Sequence, residues 1–399
     1  MCFHKFKRKV FFYIKVYFLY LLFLSFFLRR NRTKSPPIEK ILIIRLDRFG
    51  DMVLTLPLLH SIRKRYPSAK ISVLCSPHGR LLLDSQNAVE SERFLDEVIV
   101  WDHVWDMHGE PALGFEHLWA LLRMGISLRR KRFDTVLQPM TPGVWTLLAL
   151  TAGANRTVAT VDENLLLPAL LKKHIDFPCI IPKGEWKHRF DLCSMCALGV
   201  DVRNIVKIDL LTVDNKISLP KLEYFLSESI LLNISAGDPV RQLPIDLASS
   251  LIAKILSYFS DLSVVLIGTK NDTAYAAELC TRFPERVQDF VGKTNVDDLI
   301  HIFKNAPVLV TSDTGSMHLA AMTDILIVAY FTAGNLRHFR PMTDNCTIIQ
   351  HELGCSGCGD MCFTDEFPKP CMAAITADEL FDAVKNGLDE QFQRKLGHK

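Results

Sequence analysis

The chain has 399 residues, 49% of them hydrophobic, and a formal net charge of +3. That length supports two or three domains, each able to bury its own core. The near balance of charge excludes an overall nucleic-acid-binding character. Eleven cysteines with no peptidase cleavage motif fit a cytosolic, reduced chain, where clustered cysteines indicate metal or packing before disulfides.

Residues 10–28 are apolar except for Lys15 and Ser25, with basic residues on both flanks. The run is just long enough to cross a hydrocarbon core, and too long and aromatic for a signal segment. Residues 1–34 are therefore read as an N-terminal membrane anchor, either spanning or lying in the interface. The alternative is a translation start set upstream of a soluble protein. The flanks are equally basic, so they give no orientation.

Ser35-Pro36-Pro37 makes a stiff linker. Lys40 to Leu46 then reads as a buried parallel strand, Asp47 to Asp51 as a turn, and Met52 to Tyr66 as a helix. Further strands are expected at 71–75, 98–100, 135–137 and 158–160, with a helix at 118–130. His174 to Pro182 looks irregular. Trp186 to Leu198 reads as a helix ending at Gly199. The mixed stretch 200–228 marks a domain boundary, giving domains 38–215 and 225–375 and a C-terminal helix and tail at 376–399.

In the second domain, strands are expected at 230–234, 263–268, 306–311 and 325–330. Helices are expected at 246–259, 274–283 and 296–305. Alternating strands and helices in both halves predict an α/β protein of two Rossmann-like domains.

Three turns at strand ends carry candidate chemistry. Gly50-Asp51 sets a carboxylate at a helix start, where the dipole stabilises it and where it could accept a proton; alternatively it only caps the helix. No G-x-G-x-x-G follows this strand, which weighs against a dinucleotide. Ser235 to Pro244 is a small-residue loop with Arg241 as a permanent cation for a phosphate oxygen, or else a solvated charge. Gly268 to Asp272 offers Thr269 and Asp272 to a ribose or base, or is simply a capped helix start.

Asp313-Thr314-Gly315-Ser316-Met317-His318 is the fourth turn, between an apolar strand and a helix. Such crevices bind ligands in open α/β sheets, and helix-start amides suit phosphate. The alternative has Asp313 as a cap and His318 as a packed residue. Cys355, Cys358, Cys362 and Cys371 are a weak zinc candidate, since paired C-x2-C knuckles are absent. Cys193 and Cys196 also form C-x2-C, on a helical pattern, where packing is the better reading.

Ile41 to Pro57, with Gly50-Asp51 and Leu56-Pro57, resembles the opening of the bacterial heptosyltransferases, glycosyltransferase family 9. Asp313 to His318 looks like that family's Asp-Thr-Gly-x-x-His motif. Val291-Gly292-Lys293-Thr294 resembles its Gly-Lys-Thr/Ser segment, and the loop from Cys355 to Met372 is similar to a tail in many members. These segments span roughly residues 38 to 390 in the family's order.

The resemblance implies a GT-B fold, two Rossmann-like domains facing across a cleft, with the acceptor in the first and the nucleotide-sugar in the second. It implies an inverting, metal-independent transfer of heptose from ADP-heptose to a lipopolysaccharide core, with no cofactor. Asp51 matches the proposed base, with Arg48 and Gly50 in the acceptor-side turn. Arg241 falls near the basic residue, usually Lys, that holds the donor diphosphate. Asp313, Thr314, Gly315 and His318 match the donor motif, with Ser316, Thr269 and Asp272 beside it. The expected partners are the nucleotide-sugar donor, a lipid-linked glycan and the cytoplasmic face of the inner membrane, with no nucleic acid.

The anchor and the long 84–118 stretch depart from the family. Transfer of another activated sugar, or a catalytically silent nucleotide-sugar binding protein, are the competing readings. A nicotinamide oxidoreductase is disfavoured by the missing glycine fingerprint.

Overall fold

The computed structural model describes residues 37–102, 115–140, 144–161, 172–180, 188–202, 208–211, 226–358 and 367–397. The expected anchor at 10–28 lies outside them; among the described residues no helix is long and apolar enough to cross a membrane. The chain forms two compact units, Met1–Val206 and Lys207–Lys399.

Unit one is built on β1 (Lys40–Arg45), β2 (Lys70–Cys75), β3 (Glu97–Val100), β4 (Thr135–Gln138), β5 (Arg156–Val161) and β6 (Phe177–Ile180). Every strand pair is parallel, in the order β3-β2-β1-β4-β5-β6. Ile41 to Ile44 on β1 are 0% exposed. A strand covered on both faces reads as such an unbroken apolar run. The connecting helices are α1 (Phe49–Arg65), α2 (Pro77–Gln86), α3 (Phe115–Arg130), α4 (Val144–Thr151) and α5 (His188–Ala197). The last of these closes, as expected, at Gly199, whose φ of +69° suits a residue without a side chain.

Two expectations need correction here. The first helix begins at Phe49 rather than Met52, so Gly50 and Asp51 lie inside its first turn. Asp51 reaches back to the Arg48 amide and winds the chain three residues early. The stretch 174–182, expected to be irregular, contains β6. Pro178 obscured that strand, but an edge position tolerates a missing amide.

Unit two repeats the plan with β7 (Ser229–Asn233), β8 (Ser263–Ile267), β9 (Val287–Asp289), β10 (Val308–Ser312), β11 (Leu326–Phe331) and β12 (Cys346–Gln350). The order is β12-β11-β10-β7-β8-β9, all parallel. Counted within each unit, both sheets have the order 3-2-1-4-5-6 of a dinucleotide-type doubly wound fold. Its helices are α6 (Ile245–Tyr258), α7 (Thr273–Arg282), α8 (Val296–Asn305), α9 (Gly315–Ala320), α10 (Leu336–Phe339), α11 (Pro370–Ala373) and α12 (Ala377–Gly397). The last packs on α6 and β11, with Leu380 and Val384 in the unit-two core.

Strand order reverses between β1 and β4 in unit one, and between β7 and β10 in unit two. Loops leaving the carboxyl ends of those strands line the position where such sheets hold ligands. In unit one these include the turn to Asp51, and in unit two the loop after Asn233 and the hexapeptide from Asp313.

Candidate active site

In unit two, the switch-point loops are tied to one another by side chains. Asn233 ends β7 and aims its amide across to β10. Its Nδ2 donates to Thr311 Oγ1 at 3.0 Å and to Thr314 Oγ1 at 3.1 Å. Thr314, not Asp313, is the N-cap residue of α9. Asp313 instead turns its carboxylate to Arg241, with Nη1 3.6 Å from Oδ2. Arg241 stands at the end of a 3-10 turn, Pro239–Arg241, opened by Asp238, whose Oδ1 accepts from the Val240 amide at 3.0 Å.

The Arg241 side chain is only 12% exposed, so the reading of it as a solvated surface charge does not hold. A guanidinium so placed is oriented and partly desolvated, which strengthens its pull on a further anion. Gly334 closes the other side of Asp313. A Cβ there would stand 2.4 Å from Asp313 Oδ2, so only glycine leaves the carboxylate in place. His318 is buried one turn into α9, while Gly315 and Ser316 are partly exposed at its start.

Thr269 and Asp272 sit on the neighbouring loop, but Asp272 is engaged within the protein. Its Oδ2 accepts from the Thr269 amide at 3.1 Å and the Thr269 hydroxyl at 2.7 Å, and also from the Ser235 hydroxyl. Its Oδ1 accepts from Gln242 Nε2 at 2.9 Å. One carboxylate thus joins the loops after β7 and β8 and fixes the chain that carries Arg241.

In unit one, Asp51 is 7% exposed, and its Oδ2 accepts from the Arg48 amide at 3.1 Å. The helix-cap role considered for it is therefore real, and it fixes where the carboxylate points. Beneath the turn lies a buried polar cluster that the sequence reading missed. Arg45, 1% exposed, donates through Nε and Nη2 to the Asp51 carbonyl at 3.3 and 3.1 Å. Its Nη2 also lies 3.6 Å from Asp191 Oδ2 on α5. Burial opposes the charge of Arg45, but Asp191, Asp47 and Asp51 outweigh it and raise its pKa.

The Thr55 hydroxyl lies 2.9 Å from the Asp51 carbonyl and 3.1 Å from Asp191 Oδ1. Burial pushes the Asp191 carboxyl up to about 7, against the pull of Arg45 and Thr55. The Thr55 hydroxyl faces both acceptors, the Asp51 carbonyl and Asp191 Oδ1, and so ties α5 to the first turn of α1. His188, 4.0 Å from Asp191, is held down to about 4 by burial and by Arg45, and is neutral near pH 7. The one signal of this cluster in the sequence is Arg45 itself, a charge at the end of an otherwise apolar strand.

The weak zinc candidate is described only in part. Cys371 is buried on α11, Cys355 and Cys358 flank the turn at Gly357, and Cys362 lies outside the described residues. Among the described residues no group of three or more His, Cys, Asp or Glu could hold a metal ion.

The family model "Glycosyltransferase family 9 (heptosyltransferase)" matches residues 248–365, which takes in Thr269, Asp272 and the hexapeptide. A lipooligosaccharide heptosyltransferase 2 of Haemophilus influenzae is 22% identical over 335 residues, covering 78% of this chain and 88% of that one. The family 9 glycosyl transferase of Veillonella parvula has a similar fold, with TM-score 0.68 and 16% identity, over 90% of this chain and 100% of that one. An E. coli heptosyltransferase solved with ADP gives TM-score 0.63 and 15% identity, over 87% and 99%. The resemblance carried by the two end motifs is thus met by the family model over residues 248–365, by distant sequence similarity to heptosyltransferases over 78% of the chain, and by fold over most of it.

Proposed function

We propose that the chain is an inverting heptosyltransferase that moves heptose from ADP-heptose onto a lipopolysaccharide core or related cell-surface glycan. The observation that carries this reading is the Asn233–Thr314 and Arg241–Asp313 clasp at the β7/β10 switch point, beside a family match that covers the hexapeptide. The relatives' heptosyltransferase names and the ADP held by a similar fold support the choice of donor.

In this reading unit one takes the acceptor and unit two takes ADP-heptose. Asp51 takes the proton of the acceptor hydroxyl as its oxygen attacks the anomeric carbon. The bond from that carbon to the diphosphate breaks on the opposite face, which inverts the centre. Arg241 meets the charge that develops on the leaving diphosphate. Residues 10–28 hold the enzyme at the cytoplasmic face of the membrane, near its lipid-linked acceptor.

The test is nucleotide release with ADP-heptose, other ADP-sugars and UDP-sugars, each with and without core acceptors truncated stepwise. ADP release that needs both ADP-heptose and a core acceptor supports the assignment. Release only from another sugar nucleotide moves the function to that sugar. Binding of ADP-heptose without turnover on any acceptor favours the silent binding protein.

A further inference from the structure

The helix α5 presents two chemistries. Asp191 and His188 face the α1 turn, whereas Cys193, two residues on, shares a surface depression with Cys179 of the edge strand β6. Cys193 and Cys196, read from the sequence as packing residues, both lie on α5, while Cys179 comes from the neighbouring strand. These side chains line an open depression of about 560 Å³, walled also by Phe177, Ile180 and Arg189. Cys179 is buried, Cys193 partly exposed and Cys196 exposed.

We propose that Cys193 is a reactive thiol that peroxide-class oxidants convert, with Cys179, into a disulfide between α5 and β6. Three observations combine in this. The two cysteines, from packed neighbouring elements, line the same depression. Arg189, one turn before Cys193, supplies positive charge beside it. The depression lets a small oxidant reach the sulfur. The hydrogen bond from Cys179 and the charge of Arg189 hold the Cys193 thiol down to about 7, despite partial burial, while Cys179 is pushed up. The split gives one nucleophile and one proton-bearing partner, as thiol exchange requires.

The chemistry balances. The Cys193 thiolate attacks one peroxide oxygen, the O–O bond breaks, and the leaving hydroxide takes a proton to become water. The sulfenic acid so formed is attacked by the Cys179 sulfur. The S–S bond forms as the S–O bond breaks, and the departing hydroxide leaves as water with the Cys179 proton. Two thiols are oxidised and one peroxide is reduced.

This inference does not depend on the transferase reading, because its readout is chemical. The native full-length protein is pulsed with iodoacetamide at pH 7 and mapped by peptide mass. Cys193 should label at least about tenfold faster than Cys280 and Cys346, two partly exposed thiols whose pKa values are raised. A stoichiometric amount of hydrogen peroxide should then join the peptides carrying residues 179 and 193. Cys179→Ser should stop the reaction at a sulfenic acid on Cys193 that dimedone traps. The proposal is overturned if Cys193 labels no faster than those two. It is equally overturned if peroxide leaves the pair as thiols while other cysteines oxidise, or bonds Cys193 to Cys196 instead.

Discussion

Asp51 offers the chain two different things. Its carboxylate caps α1 through the Arg48 amide, and its carbonyl receives Arg45 and Thr55 from below. Replacing it with Asn keeps the shape and much of the cap but removes the proposed base. Turnover of Asp51→Asn should fall by roughly 10²- to 10⁴-fold with ADP affinity unchanged, measured by ADP release and by calorimetric titration. Intact turnover would remove Asp51 as the base. The buried carboxyl beneath it sets a second expectation. Asp191 titrates near 7 in the fold against an ordinary 3.8. Between those values the native state keeps a proton that the unfolded chain has lost, so stability falls as pH rises from about 4 to 7. His188, lowered to about 4 from an ordinary 6.5, gives the opposite slope and costs stability as pH falls through that range. Asp191→Asn removes only the first slope. Urea unfolding across pH 4.5 to 8 should show wild type losing ground to the variant as pH rises, by about 3 kcal/mol.

At the level of elements, the switch-point loops of unit two are held by few side chains, so small changes should act at a distance from any ligand. Gly334→Ala would press a methyl group against Asp313 Oδ2 and displace the carboxylate from Arg241. ADP should bind roughly tenfold more weakly, about 1.4 kcal/mol, while the thermal midpoint moves little. An unchanged ADP affinity would show that the Asp313–Arg241 pair does not shape the nucleotide site. Elements were also where the sequence was most and least readable. The unbroken apolar runs at 41–44, 264–267 and 308–310 announced central parallel strands, because such strands are covered on both faces. Edge strands β6, β9 and β12 carried no such run; Pro178, Gln288 and Thr347 interrupt them, and a half-exposed edge permits it. The hexapeptide and the Gly-Asp turn were legible because both lie beside apolar strands. The Arg45–Thr55–Asp191 cluster was not, since its members are brought together by packing across as many as 136 residues of chain.

Across the whole molecule, two units share one strand order, and each has its own core. Ile230, Leu266 and Val310 are packed within unit two alone. Residues 207–399 expressed by themselves should therefore fold cooperatively and, on the proposed function, bind ADP without transfer, since the proposed base Asp51 is absent. Calorimetry and nucleotide titration would check this, and a piece that neither melts cooperatively nor binds ADP would refute it.

The placement of β1 at the middle of its sheet has a consequence for biosynthesis. It is the first strand of its sheet to leave the ribosome, yet one of its two neighbours, β4, comes some ninety residues later, as the pairing of Ile41 with Thr135 records. Through that interval one edge of an almost wholly apolar strand stays open, and closing it requires a long, slow search. The nascent chain thus exposes, early and for seconds, a segment suited to chaperones or to self-association. The yield of folded enzyme should depend more on the rate of synthesis through residues 46–138 than on the stability of the finished sheet.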